Sequence, residues 1–171
     1  MAANRLTEGT ALVGDVLLDN AKLDKSIKIR IGTGGTAVGT SETTITSPYA
    51  VLPAQAAVYD VFLNVLTAST GATKTIGIGL LSTSSGGSRT GFLSAASVAS
   101  TGLVLGTVAT GTSGAGTYGT FLTTQTTGNA PVQKTFSSDS ITAKTLTFTP
   151  NSSEWIAFSA DLYVCYVDVT R

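Results

Sequence analysis

The sequence predicts an all-β protein: a single-domain antiparallel sandwich, jelly-roll-like, with about 8–10 strands and a charged N-terminal arm or hairpin. Two observations predict this class. Short segments of alternating apolar and polar residues recur along the chain and are separated by turn-forming residues. Thr, Ser and Gly supply 67 of the 171 residues, and Thr favours strands whereas Ser and Gly favour turns.

Charge divides the chain into two parts. Nine of the 20 charged residues lie within the first 30 positions, and only Asp60, Lys74 and Arg89 are charged between positions 43 and 133. We therefore expect residues 1–30 to form a charged arm or a first hairpin, and residues 31–171 to form the β-sandwich body.

The first strands follow from period-two alternation of apolar residues. In "SIKIRIG", Ile27, Ile29 and Ile31 share one face. "AVYDVFLNVLTAS" and "TKTIGIGLL" alternate in the same way, and their expected inward residues are Tyr59, Val61, Leu63 and Val65 in the first and Ile76, Ile78 and Leu80 in the second. Less regular candidates are "ETTITS", "SPYAVLPAQ", "GFLSAASV", "GLVLGTVAT", "YGTFLTT" and "ITAKTLTFTP". A helix over "GFLSAASVAST" is disfavoured by its glycines, serines and valine.

The last strand candidate, "EWIAFSADLYVCYVDVT", is mostly apolar on both faces, although Ser159 and Asp161 lie on the second face. One face carries Ile156, Phe158, Ala160, Leu162, Val164 and Tyr166. The other face includes Trp155, Ala157, Tyr163, Cys165 and Val167. We therefore expect a central strand, or a strand that a partner covers.

Two tracts rich in Gly, Ser and Thr interrupt the strand candidates. They are "STSSGGSRTG" (82–91) and "GTVATGTSGAGTYGT" (106–120). This composition is typical of mobile or interface loops.

The overall composition indicates contact with other proteins. Charged residues make up only 12% of the chain, basic and acidic residues cancel, and the mean hydropathy is +0.30. Without a basic excess we expect no nucleic-acid partner. Without a long apolar run or a signal-peptide pattern we expect no membrane span and synthesis in a cytoplasm. High hydropathy combined with so few charges predicts that much of the surface of this chain contacts other subunits.

The glycines of "GATKTIGIGLLSTSSGGSRTGFL" (71–93) resemble a nucleotide-binding loop only superficially. A dinucleotide fingerprint needs a third glycine where Ser82 stands, then a helix, then an acidic residue, and no Asp or Glu occurs from 61 to 138. In the P-loop pattern the lysine follows the glycines, whereas Lys74 precedes them. We interpret the segment as a close-packed strand, with Gly77 and Gly79 admitting another sheet or chain, followed by a loop.

Catalytic and metal chemistry have few candidate residues here. The chain has no histidine, which excludes histidine-based triads, and its single cysteine, Cys165, lies in an apolar run typical of a buried thiol. A glycosidase-like site would need a pair of carboxylates. The candidates are Asp60, Glu154 and Asp161, but no motif contains them. We predict no enzyme activity, no catalytic residue, no cofactor and no metal site.

The aromatic side chains have two readings, both open. They are either core and subunit-interface residues or a sugar-stacking platform. The set comprises Trp155, Tyr49, Tyr59, Tyr118, Tyr163 and Tyr166.

Residues 56–105, which contain "LNVLTASTGATKTIGIGLL", a Gly-rich loop and "GFLSAASVASTGLVL", resemble a group of small tailed-bacteriophage structural proteins encoded among head genes. That group often carries acidic residues before Gly-Phe-Leu, whereas this chain has Arg89 there, so no cation site is inferred from it.

The resemblance implies a virion structural protein, a capsid decoration (cement) protein. Such β domains are not enzymes. They sit on the outer shell, often as homotrimers, and bridge neighbouring major capsid protein subunits. Alternatives are a host-recognition or carbohydrate-binding module of a tail fibre or spike, and a minor head-tail or tail protein. The segment 1–30 and the "GTSGAGTYG" loop are our candidates for capsid or subunit contacts.

Deleting residues 1–20 is therefore expected to abolish capsid binding and to leave the fold intact. Cosedimentation with capsids measures the binding, and circular dichroism checks the fold. Normal capsid binding by the truncated chain would contradict the arm hypothesis.

Overall fold

A computed structural model describes residues 25–32, 41–69, 74–108, 116–124, 132–133, 135–137, 142–150 and 158–168. These residues form thirteen β-strands: β1 (Lys25–Gly32), β2 (Thr43–Thr44), β3 (Val51–Leu52), β4 (Ala56–Thr67), β5 (Thr75–Leu80), β6 (Ser88–Ser97), β7 (Gly102–Thr107), β8 (Gly116–Thr117), β9 (Thr123–Thr124), β10 (Val132–Gln133), β11 (Phe136–Ser137), β12 (Lys144–Pro150) and β13 (Ser159–Asp168). Seven strands have six or more residues, and six have two.

The strands make two packed sheets and a small β9–β10 hairpin. The six-stranded sheet has the order β1-β13-β4-β7-β8, with β11 also on β4, and the five-stranded sheet has the order β2-β12-β5-β6, with β3 on β12. All pairs are antiparallel except β7 with β8. The expected all-β antiparallel sandwich is confirmed, and the jelly-roll arrangement stays a prediction. The strand count exceeds the expected one because β8, β10 and β11, each of two residues, lie outside every strand candidate of the sequence.

The pairing of β4 with β13 forms the centre of the six-stranded sheet. Leu162 lies opposite Leu63 and Val164 lies opposite Val61, and all four are fully buried. β13 has β1 on its other side, so the prediction of a central last strand is confirmed. The expected part of that strand before Phe158 lies outside the described residues.

The inward face of β4 differs from the expected one at its first half. The register between β4 and β13 shifts between Cys165 and Tyr166, so Tyr166 pairs with Val58. Tyr59 is the extra residue of this irregularity, and it is half-buried while Val58 is fully buried. The prediction that Tyr59 shares the face of Val61 is therefore wrong, because a bulge breaks the alternation.

The segment that resembled a nucleotide loop forms the hairpin of β5 and β6. Ile76, Ile78 and Leu80 are buried as expected. A Cβ at Gly77 would lie 2.6 Å from Thr90 Cγ2, and one at Gly79 would overlap the backbone of β6. The close neighbour of these glycines is thus β6 of the same sheet, where the register is irregular.

The tract 82–91 begins as a hydrogen-bonded turn and not as a loose loop. Ser84 N–H donates to the Leu81 carbonyl, Gly87 N–H donates to the Ser84 carbonyl, and Gly86 has a φ of 70°. Its last four residues already belong to β6, which runs as a strand through the disfavoured helix candidate.

Glu42 ties the turn to the five-stranded sheet. Its carboxylate accepts hydrogen bonds from the Ser82 hydroxyl, from the Ser82 N–H at 3.0 Å and from the buried Thr147 hydroxyl at 2.9 Å. Partial burial raises the pKa of Glu42, but these hydrogen bonds together outweigh it, so the pKa lies below its ordinary value.

The predicted N-terminal segment is described only from Lys25 onward. Its last residues lie in β1, which pairs along its whole length with β13, whereas residues 1–24 lie outside the described residues. In the parts of the chain that the structure describes, no helix has the length and apolar character that crossing a bilayer requires.

Replacing Leu63 by Ala is expected to lower the free energy of unfolding by about 2–5 kcal/mol, because it removes a fully buried side chain between the sheets. Leu103→Ala is the matched control, since the Leu103 side chain is exposed and its loss is expected to cost about 0.5 kcal/mol or less. Denaturant unfolding measures both, and equal losses would contradict the core assignment.

Candidate interaction surface

The outer face of the six-stranded sheet carries charged, aromatic and leucine side chains, which lie in rows that cross four strands. The alternation that points one set of residues into the core points the next set outward. One row joins Arg30, Asp161, Asn64 and Leu103, and the next row joins Lys28, Tyr163, Phe62 and Leu105.

The β1 end of this face is charged. Arg30 Nε donates to Asp161 Oδ1 at 2.5 Å, and Lys28 Nζ lies 3.3 Å from Asp161 Oδ2. The Asp161 side chain is only 7% exposed, whereas those of Lys28 and Arg30 are 56% and 62% exposed. The Arg30 hydrogen bond, joined by that of Lys28 and opposed by burial, holds the pKa of Asp161 below its ordinary value. The carboxylate of Asp161 is thus paired with the two cations that cover it.

An aromatic pair forms the middle of the face. The rings of Phe62 and Tyr163 stack with centroids 4.8 Å apart and an interplanar angle of 12°, and Lys28 Nζ lies 5.4 Å from the centroid of the Tyr163 ring. Cross-strand aromatic pairs and cation–π contacts both stabilise a sheet. The pair therefore gives the outer face a rigid centre.

The β7 end of the face is apolar and exposed. Leu103 and Leu105 are two residues apart on β7, and their exposed fractions are 60% and 50%. We call these two residues the leucine patch. Leu66, near the end of β4, is also exposed. Adjacent large apolar side chains that the folded body leaves in water are typical of surfaces that bind another protein.

The structure does not bring the described candidate carboxylates together. Asp60 lies opposite Cys165, four residues along β13 from Asp161, which separates their strand positions by about 13 Å. Asp60 accepts a hydrogen bond from the Tyr118 hydroxyl at 2.6 Å, whereas Asp161 binds Arg30. Glu154 lies outside the described residues. In the described ranges, no three His, Cys, Asp or Glu side chains group as they would around a metal ion.

The aromatic candidates that the structure describes do not all belong to one platform. Tyr118 and Tyr166 are buried, and Tyr163 stacks on Phe62. Tyr49 is 76% exposed and lies in the turn before β3. Trp155 lies outside the described residues.

Cys165 is half-buried and forms no disulfide. The expectation of a buried thiol is therefore wrong. Its position on β13 places it on the outer face, opposite Asp60 and Ser26, because it alternates with the buried Val164 and Tyr166.

The "GTSGAGTYG" loop is described only from Gly116 onward. There the Tyr118 N–H donates to the Thr107 carbonyl, and the Tyr118 ring lies so close to Gly106 that a Cβ there would overlap it. Its contact with a capsid or another subunit stays a prediction.

Sequence reasoning missed the leucine patch. The segment "GLVLGTVAT" is a strand candidate, but its alternation alone does not say which of its faces meets water. Comparison with protein families, with curated proteins and with solved structures finds no match for this chain.

Asp161 is expected to make stability depend on acid pH. A carboxyl with a lowered folded pKa contributes stability that is present above the unfolded value of about 3.9 and is lost as the pH falls through the folded value. Asp161→Asn should therefore flatten the acid side of the stability–pH curve, and Arg30→Gln should move the loss to higher pH. Denaturant unfolding at a series of acid pH values measures both. An unchanged curve for Asp161→Asn would contradict the assigned contact.

Proposed function

We propose that this chain is a non-enzymatic structural protein of a bacteriophage virion, a capsid decoration (cement) protein that binds the outer shell and bridges major capsid subunits. The observation that carries the proposal is the leucine patch, which lies exposed beside the stacked Phe62 and Tyr163. The resemblance of residues 56–105 to phage head proteins supports the choice of partner.

The leucine patch supplies a driving force for association. Complete burial of a leucine side chain is worth roughly 1.5–3 kcal/mol, and Leu103 and Leu105 keep at least half of their surface in water until a partner covers it. Because the patch lies on a sheet whose centre is held by the Phe62–Tyr163 stack, little conformational entropy is lost on docking.

The arrangement of the outer face supports a protein partner. Protein interfaces combine an apolar, aromatic core with a polar rim. Here the apolar and aromatic part comprises Leu103, Leu105 and Phe62, and the charged group of Lys28, Arg30 and Asp161 lies at one side of it. With no net charge on the chain, burial of apolar surface and not electrostatic steering would supply the binding energy.

Stabilisation of the shell would follow from linkage. A protein that binds assembled subunits and not separated ones shifts the equilibrium towards the assembled shell. If the chain is a homotrimer, as the resemblance implies, three leucine patches bind the shell together. Once one patch is bound, the other two are held near their own sites at a high effective concentration, and this strengthens attachment.

Tyr49 favours one alternative, a carbohydrate-binding module of a tail fibre or spike. It is the most exposed large apolar side chain of the described residues, and Ser26 and Lys28 lie in the same groove. A sugar site needs such an aromatic ring beside hydrogen-bonding groups.

The double variant Leu103→Asp with Leu105→Asp is expected to fold but to lose capsid binding by at least about tenfold, because it replaces the apolar contact by charge. The measurement is the number of copies per purified particle, by gel densitometry. Wild-type protein is expected in many copies, of the same order as the major capsid subunits.

The matched control is Thr83→Asp with Ser85→Asp, which adds the same charge to exposed positions of the β5–β6 turn and should bind like the wild type. Equal binding by both double variants would contradict the role of the leucine patch. A wild-type copy number of a few per particle would favour a connector or tail protein, and a monomer in solution would contradict the trimer.

A further inference from the structure

A groove lies at the β1 edge of the sandwich, away from the leucine patch. It has a volume of about 430 Å³ and is lined by residues 26–28 of β1, by Pro48, Tyr49 and Val51, and by Tyr166. Ile27 and Tyr166 are on the inward faces of β1 and β13, whereas Val51 begins β3 of the other sheet. The groove therefore follows the line where the two sheets meet beside β1.

The exposed ring in this groove is held by a tight turn. The Ala50 N–H donates to the Ser47 carbonyl at 2.9 Å, and the Tyr49 N–H donates to the Ser47 hydroxyl at 3.3 Å. Pro48 sits where its fixed φ favours such a turn. Ala50 is fully buried, and its carbonyl accepts from the Leu146 N–H. Tyr49 is thus presented to solvent on a fixed support.

β1 offers backbone hydrogen bonds along the same groove. It is the end strand of its sheet, and none of the described strands pairs with its second edge. In an antiparallel pair alternate residues point their N–H and C=O groups away from the partner strand. An extended peptide can therefore continue the sheet at β1, with every second side chain entering the groove.

The charges of β1 select the kind of peptide. Among the residues that the structure describes at this edge, Lys25, Lys28 and Arg30 meet two carboxylates, those of Asp161 and Asp168, which leaves one positive charge in excess in this described set. Lysines on an edge strand oppose pairing with a second copy of the same strand, because like charges would meet. Acidic side chains on the added strand would complement them.

The lining of the groove favours a peptide over a sugar. Ile27, Pro48 and Val51 are apolar. None of the lining residues that the structure describes is Asp, Asn, Glu or Gln, the side chains whose carbonyl or carboxylate oxygens accept hydrogen bonds from sugar hydroxyls. Tyr49 then packs against an apolar side chain instead of a sugar ring.

We propose that β1 and its groove bind an extended segment of a partner protein, which adds as a strand to β1, places alternate apolar side chains against Tyr49 and Ile27, and directs acidic side chains towards Lys28 and Arg30. This inference goes beyond the proposed function and does not depend on it, because it uses the opposite edge of the sheet from the leucine patch.

The test uses the full chain and a blocked peptide of alternating valine and glutamate, as long as the eight residues of β1. Titration is followed by two-dimensional NMR up to about 1 mM peptide, the weak end of specific binding. Saturable shifts of β1 amides are expected. A peptide N-methylated at alternate amides, and one with lysine in place of glutamate, should each bind at least about tenfold more weakly.

Two variants locate the site on the protein. Tyr49→Ala should weaken binding at least about tenfold, because the ring forms one wall of the groove. Lys28→Gln should weaken it more than Arg89→Gln, which removes the same charge from an exposed position on β6. Since Tyr49 is exposed, the fold of its variant is expected to be intact, and the NMR spectrum checks this.

Several outcomes would overturn the proposal. They are the absence of saturable binding, equal binding of the N-methylated peptide, or equal binding by Tyr49→Ala. Binding on a glycan array that Tyr49→Ala abolishes, with no peptide binding, would identify the groove as a sugar site. Capsid binding that depends on the leucine patch would be unaffected by any of these results.

Discussion

The pairing of β4 with β13 is the contact on which the other features of the molecule depend. It joins ten residue pairs and carries β1 beyond β13 and β7 beyond β4. Its inward side chains, among them Leu63 and Leu162, lie in the core between the sheets. A slip of β13 by one residue would exchange its two faces and would turn Asp161 inward. The hydrophobic core therefore holds the outer surface in register.

Two irregularities bound the regular part of this pairing. The register shifts between Ser159 and Ala160 and again between Cys165 and Tyr166. The rows that contain Asp161 and Tyr163 lie between the two shifts, where cross-strand neighbours face each other directly. This explains why the Phe62–Tyr163 stack has good geometry there, whereas Tyr59 departs from the alternation. The ion pairs of Asp161 cross to β1, whose register with β13 is unbroken.

The two surfaces that carry the proposals lie on opposite sides of the same sheet. β7 bears the leucine patch and β1 borders the groove, with β4 and β13 between them, which separates β1 from β7 by about 14 Å. The two surfaces adjoin at Lys28 and Arg30 of β1, which also belong to the charged side of the outer face. Because both surfaces are built on paired strands or a hydrogen-bonded turn, neither needs to be ordered on binding, and this limits the entropic cost.

The sequence by itself determined the class of fold and most inward residues, since alternation is a property of each strand alone. The inward positions of Ile29, Ile78 and Leu162 follow from it, as does the central place of a last strand that is mostly apolar on both faces. Only the tertiary structure decided that Val58 replaces Tyr59 in the core, that Cys165 is half-buried, that Asp60 and Asp161 lie apart, and that Leu103 and Leu105 remain in water. These features depend on which strands pair and in which register, and such non-local contacts leave no trace in the pattern of any single segment.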